Sequence, residues 1–426
     1  GKPEHLLQFN ATNQLASYDP PNLGFADVTS YAYDLDKKLE SVLQPGNRLI
    51  GYDYDAAGRL SETTFPGGDV VRNYSPSTGK LASLEGPYGV DLSFTYDGSV
   101  MKSVTWSGDV HGSVAWTHDT DFRVSGETVN GANAVSFGYD ADSLLTSAGG
   151  LTIVRDPASG RVTSATSGNV TESWTYNEYG EVASKTSSFN GEAFFAILYE
   201  RDLLGRISQK TETVLGVTTV TEYEYDNAGR LVTVTEDGTL TESYSYDANG
   251  NRESALNSAG VANAAFDGQD RIISSGDFEY DFTDNGELER KTNLVSGEVT
   301  SYAYDPVGNL IQVTLPSGDV IEYLVDAMGR RVGKKVNGVL ERQWLWRGKL
   351  QPVAELDGAG NVVARFVYGG GVNVPELIVT PTATYRLVKD HLGSVRFVTN
   401  VATGAVVQEL RYDAWGRVLV DTNPGL

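Results

Sequence analysis

Tyr223-Glu224-Tyr225-Asp226-Asn227-Ala228-Gly229-Arg230-Leu231 is the stretch that decides the fold. Aromatic residues two apart lie on one face of a strand, where stacked copies form a ladder. Asp-x-x-Gly then spells a type I turn, with Asp226 first, its carboxylate accepting local backbone N–H groups, and Gly229 fourth. Glycine takes the left-handed conformation of a bulged hairpin loop at little steric cost. Arg230-Leu231 opens the return strand, and the alternation Leu231-Val232-Thr233-Val234-Thr235 carries it onward. The unit is strand, tight turn, strand.

The unit recurs along the chain. Clear copies are Tyr52-Asp53-Tyr54-Asp55-Ala56-Ala57-Gly58-Arg59, Tyr244-Ser245-Tyr246-Asp247-Ala248-Asn249-Gly250-Asn251, Tyr302-Ala303-Tyr304-Asp305-Pro306-Val307-Gly308-Asn309 and Tyr412-Asp413-Ala414-Trp415-Gly416-Arg417. Weaker copies are read at Phe94–Asp97, Phe137–Asp140, Trp174–Gly180, Asp202–Ile207, Phe278–Asp281 and Asp326–Arg330, the last with Gly329 in the turn. From Asp202 to Asp226 is 24 residues, from Asp226 to Asp247 is 21, and from Asp305 to Asp326 is again 21. A fixed period of this size reports a repeat architecture.

Energetics require the repeats to be tandem. Ordering the backbone of one repeat costs roughly 20–40 kcal/mol, whereas each fully buried large apolar side chain returns ~1.5–3 kcal/mol. A lone repeat should not fold; stacked neighbours supply cross-strand hydrogen bonds and cover the aromatic row. A twisted ribbon of many strands must curl. The fold class expected is all-β: tandem hairpins in one continuous curved or spiral sheet, a partial shell or barrel wall. Three departures point to wider or irregular turns: Gly98 directly after Asp97, Ser143 in place of Gly after Asp140, and Val325 in place of the second tyrosine before Asp326.

Composition narrows function. The 426 residues carry 56 Asp+Glu against 33 Lys+Arg, a net charge of −23 that repels nucleic acid phosphates and anionic membrane surfaces. No cysteine is present, which removes disulfides, thiolate–zinc sites and thiol catalysis. The apolar stretch Phe194–Leu198 is far too short to span a bilayer, and Gly1-Lys2-Pro3-Glu4 has no signal-peptide pattern.

Candidate reactive groups have simpler readings. His111 and His118, near Asp109 and Asp119, are seven apart and so on opposite faces of a strand, which argues against a shared metal; His5 is remote. His391 beside Asp390 has the look of an oriented general base, yet Asp390 and Gly393 fit the same turn as every other copy. The pair Asp140 and Asp142 is expected by chance in so acidic a chain. Asp226-Asn227-Ala228-Gly229 lacks the distal glutamate of a calcium loop. No cofactor, metal or catalytic residue is assigned.

The copies resemble the YD repeats of the Rhs (rearrangement hotspot) family, which is related to insecticidal toxin-complex B and C subunits and to the extracellular teneurins. The last part adds a second signature: Trp344-Leu345-Trp346, Pro352-Val353-Ala354-Glu355-Leu356, Asp390-His391-Leu392-Gly393-Ser394-Val395-Arg396 and Tyr412–Arg417 resemble the Rhs core-associated region. The resemblance implies a hollow, secreted or cell-surface bacterial β-shell, not an enzyme, whose partner is a C-terminal toxin cargo and which works with a delivery machine. It also implies an aspartate-dependent self-cleavage site beyond the core-associated region. Asp156-Pro157 and Asp305-Pro306 are read instead as ordinary repeat turns, from their spacing to Gly160 and Gly308, so no autoproteolytic residue and no toxin domain are assigned. Residues 1–30 match the repeat poorly and form a candidate cap, 31–340 the array, and 341–426 the core-associated region. The rival function is a surface adhesin whose aromatic rows bind carbohydrate or protein; a hydrolase is disfavoured for want of a nucleophile–base set. Solvent-facing rows favour the adhesin, covered rows the wall.

Overall fold

A computed structural model describes residues 4–24 and 27–425. Forty strands, from Leu6–Phe9 to Val418–Asp421, form one open antiparallel sheet, and the only helical element among the described residues is a three-residue 3-10 turn, Pro45–Asn47. Each strand pairs with the strand before and after it in sequence: Val217–Tyr225, for example, pairs with Ile207–Val214 on one side and Leu231–Glu236 on the other. The all-β expectation holds, and the meander follows from turns too short for any other connection.

The sheet winds back on itself. A first limb, residues 6–266, is followed by a second, 267–421, running in the same direction beside it. Their contacts begin at Gln269, whose Nε2 donates to Pro21 O across 248 residues, and end at Arg417, which reaches Ser258 across 159. Strands are spaced a constant ~4.8 Å apart, so the limb that covers the same path with fewer strands lies on the tighter radius. That limb is the second, and the sheet is a tightening spiral.

The contact changes character along the way. At first, turns of the second limb sit on the hairpin ends of the first: Arg48 pairs with Glu287 at 2.8 Å, Tyr88 Oη donates to Asp305 Oδ2 at 3.1 Å, and Trp106 Nε1 donates to Asp326 Oδ2 at 3.2 Å. Further on, strand faces meet. Leu92, Val104, Trp106 and Val114 pack with Leu324, Val332, Leu345 and Leu356, and Phe195 and Ile197 pack with Val388 and Phe397. The buried positions recur with the repeat: four residues before the last strand residue ahead of the turn stand Ile50, Val70, Val114, Val135 and Leu151, and five before it, in the strand that runs on to Asp97, stands Leu92, all buried.

Residues 6–19 belong to the same sheet. Leu6 faces Asp19, and Asn10 closes a repeat-type turn, its N–H donating to Gln14 O at 2.9 Å and its Oδ1 accepting from Thr12 and Gln14 N–H.

Sequence readings at five turns are corrected or sharpened. Ser143 and Val325 do not widen their turns: Ser143 takes a left-handed φ of 64°, and Asp140 and Asp326 close the standard pair of backbone bonds. Asp97-Gly98 makes a tighter loop, with Asp97 facing Val100 directly. The copy placed at Phe278–Asp281 lies mid-strand; the turn is Thr283–Glu287, with Thr283 in the aspartate's place. Asp156 opens a turn one residue longer than that of Asp226, as do Ser75, Asn293 and Asn400, because its carbonyl accepts from Gly160 instead of from the residue three along.

Candidate functional site

The repeat turn is a clamp. Asp226 N–H donates to Arg230 O and Gly229 N–H to Asp226 O, both at 2.9 Å, which closes the hairpin with a bulge between Glu224 and Tyr225. Asp226 Oδ1 accepts from Ala228 and Arg230 N–H at 2.9 Å each, and Oδ2 accepts from Arg230 Nε at 2.7 Å. The backbone N–H of Arg230, with its guanidinium, holds the Asp226 carboxyl below its ordinary range. Gly229 has φ +82°. The same clamp forms at Asp55–Arg59, Asp202–Arg206, Asp326–Arg330 and Asp413–Arg417, and with asparagine as the fifth residue at Asp247–Asn251 and Asp305–Asn309. Gly58, Gly250, Gly308, Gly329, Gly393 and Gly416 all take the left-handed conformation there.

The two tyrosines have different tasks. The first enters the core: Tyr52 packs on Val42 and Ile50, and Tyr223 on Val234 and Tyr244. The second ties its repeat to the one before. Tyr54, Tyr225, Tyr246 and Tyr412 donate Oη to the carbonyls of Leu39, Ile207, Leu231 and Val395 at 2.7–3.0 Å. Where the preceding turn carries a basic residue, that residue lies over the ring: Arg59 at 4.1 Å over Tyr74, Arg206 at 4.4 Å over Tyr225, Arg230 at 4.7 Å over Tyr246. Lysine takes the same place over Tyr54 and Tyr96.

Sequence reading missed the clamps at Asp119–Arg123, Asp267–Arg271 and Asp357–Asn361 and the turn at Asp34. Asp357–Asn361 keeps its Gly360; in the other three the glycine is replaced, by Phe122, Asp270 and Lys37, each with a positive φ of 61–66°. The Asp–Arg spacing of four was the usable signal.

Reactive constellations do not assemble from the sequence candidates. His111 lies at a hairpin end and His118 at the far end of the strand Gly112–His118. His5 stacks on Tyr18, its Nδ1 2.9 Å from the Tyr18 hydroxyl. Asp390 forms its turn as expected, with Oδ1 accepting from Leu392 and Ser394 N–H at 2.9 Å; Ser394 stands where other turns carry arginine or asparagine. His391 Nδ1 lies 3.3 Å from Tyr199 Oη on the first limb. Beside it a cleft of about 460 Å³ between the limbs is lined by Lys210, Tyr223, Glu236, Arg396 and Tyr412. Among the described residues no group of three or more His, Asp or Glu is placed to hold a metal.

What the sequence did not announce is buried charge between the limbs. Glu127 meets Arg365 at 3.0 Å, Glu172 accepts from Arg386 Nε at 2.8 Å, and Glu212 is gripped by both terminal nitrogens of Arg396 at 2.6 and 2.7 Å. Burial pushes the Glu172 carboxyl up, but the adjoining Arg386 and Lys185 outweigh it and hold it at about 2.

The Teneurin YD-shell family model matches residues 2–426. Teneurin-4 of Mus musculus is 24% identical over 99% of this chain and 16% of its own length, so the chain spans about a sixth of that relative. The tRNA nuclease WapA of Bacillus subtilis (strain 168) is 28% identical over 45% of this chain and 8% of its own length. Among solved structures, TcdB2-TccC3 superposes with TM-score 0.78 at 14% identity over 99% of this chain and 26% of that one. The Photorhabdus luminescens Tc holotoxin pore gives 0.71 at 12% over 98% and 24%. Repeat turns, spiral sheet and family model agree, and the chain belongs to the teneurin YD-shell family.

Proposed function

We propose that this chain is a non-catalytic structural wall, and that the shell it helps build encases a C-terminal toxic cargo until delivery from a secreted or surface-bound protein. The observation that carries this reading is the fate of the aromatic row: in repeats such as those of Tyr225 and Tyr246 the hydroxyl is bonded to the neighbouring repeat and the ring face carries arginine, so these tyrosines are spent on holding the wall together. The fold shared with TcdB2-TccC3 over 99% of the chain supports a toxin-shell setting. The test is to attach a small reporter domain after residue 426 and measure its protease sensitivity and activity. Protection with loss of reporter activity is expected; a fully active, fully cleavable reporter would overturn containment.

A second reading, a surface adhesin, is favoured by the teneurin likeness over nearly the whole chain. It predicts saturable binding to a glycan or receptor panel, which the wall reading does not.

A further inference from the structure

The contacts joining the two limbs fall into two kinds. Turn-on-hairpin contacts reuse one backbone turn that recurs every repeat, although the first-limb partners Arg48, Tyr88 and Trp106 differ from contact to contact. The recurring backbone by itself does not define the register. The three ion pairs do not recur. Glu172 occupies the buried position that is Leu151 in the preceding repeat and Ile197 in the following one. Glu127, on a return strand, likewise replaces Val104 on one side and Ala148 on the other.

All three pairs have the same polarity. The carboxylates, Glu127, Glu172 and Glu212, belong to the first limb, and the guanidiniums, Arg365, Arg386 and Arg396, to the last strands. The side chains of the Glu172–Arg386 pair are 0% and 1% exposed. Net charge divides the same way: residues 341–426 hold nine Lys+Arg against eight Asp+Glu, a net +1, which leaves −24 on residues 1–340. A slip of one repeat would face Arg386 with leucine or isoleucine and leave it Glu376 of its own limb as the remaining carboxylate, and breaking a buried pair from one side costs far more than the pair stabilises.

We propose that Glu127, Glu172 and Glu212 form a docking surface on the first limb for the arginine-bearing terminal segment 341–426, and that these pairs fix which strands face each other. The inference does not depend on what the shell contains.

The absence of cysteine makes the test clean. Asn169 N–H donates to Val401 O at 3.0 Å, so Asn169→Cys with Ala402→Cys, bridged by a bis-maleimide, reports the native register. Asn169→Cys with Thr382→Cys, at the hairpin end one repeat earlier, reports the slipped one. The variant Arg365→Met, Arg386→Met, Arg396→Met removes the guanidiniums while each carboxylate keeps a second cation nearby: Arg347 at 3.6 Å, Lys185 at 2.5 Å, Lys210 at 3.8 Å. The ratio of slipped to native product should rise about tenfold or more in it, and Arg→Lys at the same positions should restore much of the native ratio. A folded Met variant that keeps the wild-type ratio would overturn the proposal. If that variant does not fold, Arg386→Met and Arg396→Met are measured singly; slipped product in either supports the register role, and none in both overturns it.

Discussion

The guanidinium of Arg230 lies 4.7 Å above the ring of Tyr246 while its Nε holds Asp226 Oδ2 at 2.7 Å, so one arginine closes its own turn and covers the anchor of the next repeat. Tyr246 completes the link by donating to Leu231 O at 2.7 Å. Tyr246→Phe should cost about 0.5–1.5 kcal/mol by stranding a carbonyl. Arg230→Ala should cost about 1 kcal/mol, discounted because the pair is about a quarter to a third exposed. The double variant should be less destabilised than the sum, with a coupling of about 0.5 kcal/mol or more in urea unfolding. Strict additivity would show that the stack is geometric only.

Backbone conformation at the fourth turn residue gives predictions of opposite sign. A Cβ on Gly229 would meet only Arg206 at 3.7 Å, so Gly229→Val is penalised by its φ of +82° and not by crowding, at about 1–3 kcal/mol. Ser143 already bears that strain at φ 64°, and Ser143→Gly should be neutral to stabilising by up to about 1 kcal/mol. An unchanged melting curve for Gly229→Val, or a large loss for Ser143→Gly, would contradict the turn chemistry.

The strand–turn–strand unit was legible because Asp226, Gly229 and the paired tyrosines each act within a few residues of themselves. Where one glycine was missing, as at Phe122, the turn was overlooked, although Asp119 and Arg123 kept the spacing that makes the clamp. The placement at Phe278–Asp281 failed because Asp281 has an aspartate's look but lies mid-strand opposite Arg290, and Thr283 closes the turn. The pairing of Glu172 with Arg386 spans 214 residues, so no local pattern encodes it. Only aligning the repeats would have exposed it, as a glutamate in a buried column that is Leu, Val or Ile in the repeats before it and turns polar again at Thr221 and Glu242.

Divalent metal should be dispensable. The turn aspartate oxygens, the natural ligands for calcium, are occupied: Oδ1 of Asp55, Asp226 and Asp413 accepts two backbone N–H groups each, and Oδ2 accepts from an arginine. Chelator treatment should leave the melting temperature unchanged. A marked fall would mean that a site gathers oxygen ligands from several turns.

Acid should loosen the spiral at the buried pairs, and the sign follows from Glu172. Its carboxyl is held at about 2, below the ordinary 4.5, because Arg386 and Lys185 outweigh the opposing effect of burial. A depressed folded-state value means that the stabilisation is complete above about pH 4.5 and is lost as pH falls through about 2, below which folded and unfolded chains are both protonated. Glu172→Gln keeps the shape but leaves Arg386 with Glu376 alone and Lys185 with only the Lys389 carbonyl. At neutral pH it should cost about 3–5 kcal/mol, the usual penalty for breaking a buried pair from one side. The gap between wild type and variant should then close as pH drops from 4.5 to 2, since the wild type alone loses this contribution there. Aspartates such as Asp226 also titrate in acid, but they are common to both proteins and cancel in the difference. Chemical denaturation at a series of pH values measures that difference directly. A gap that stays constant down to pH 2 would mean that Glu172 contributes shape and not charge to the seam.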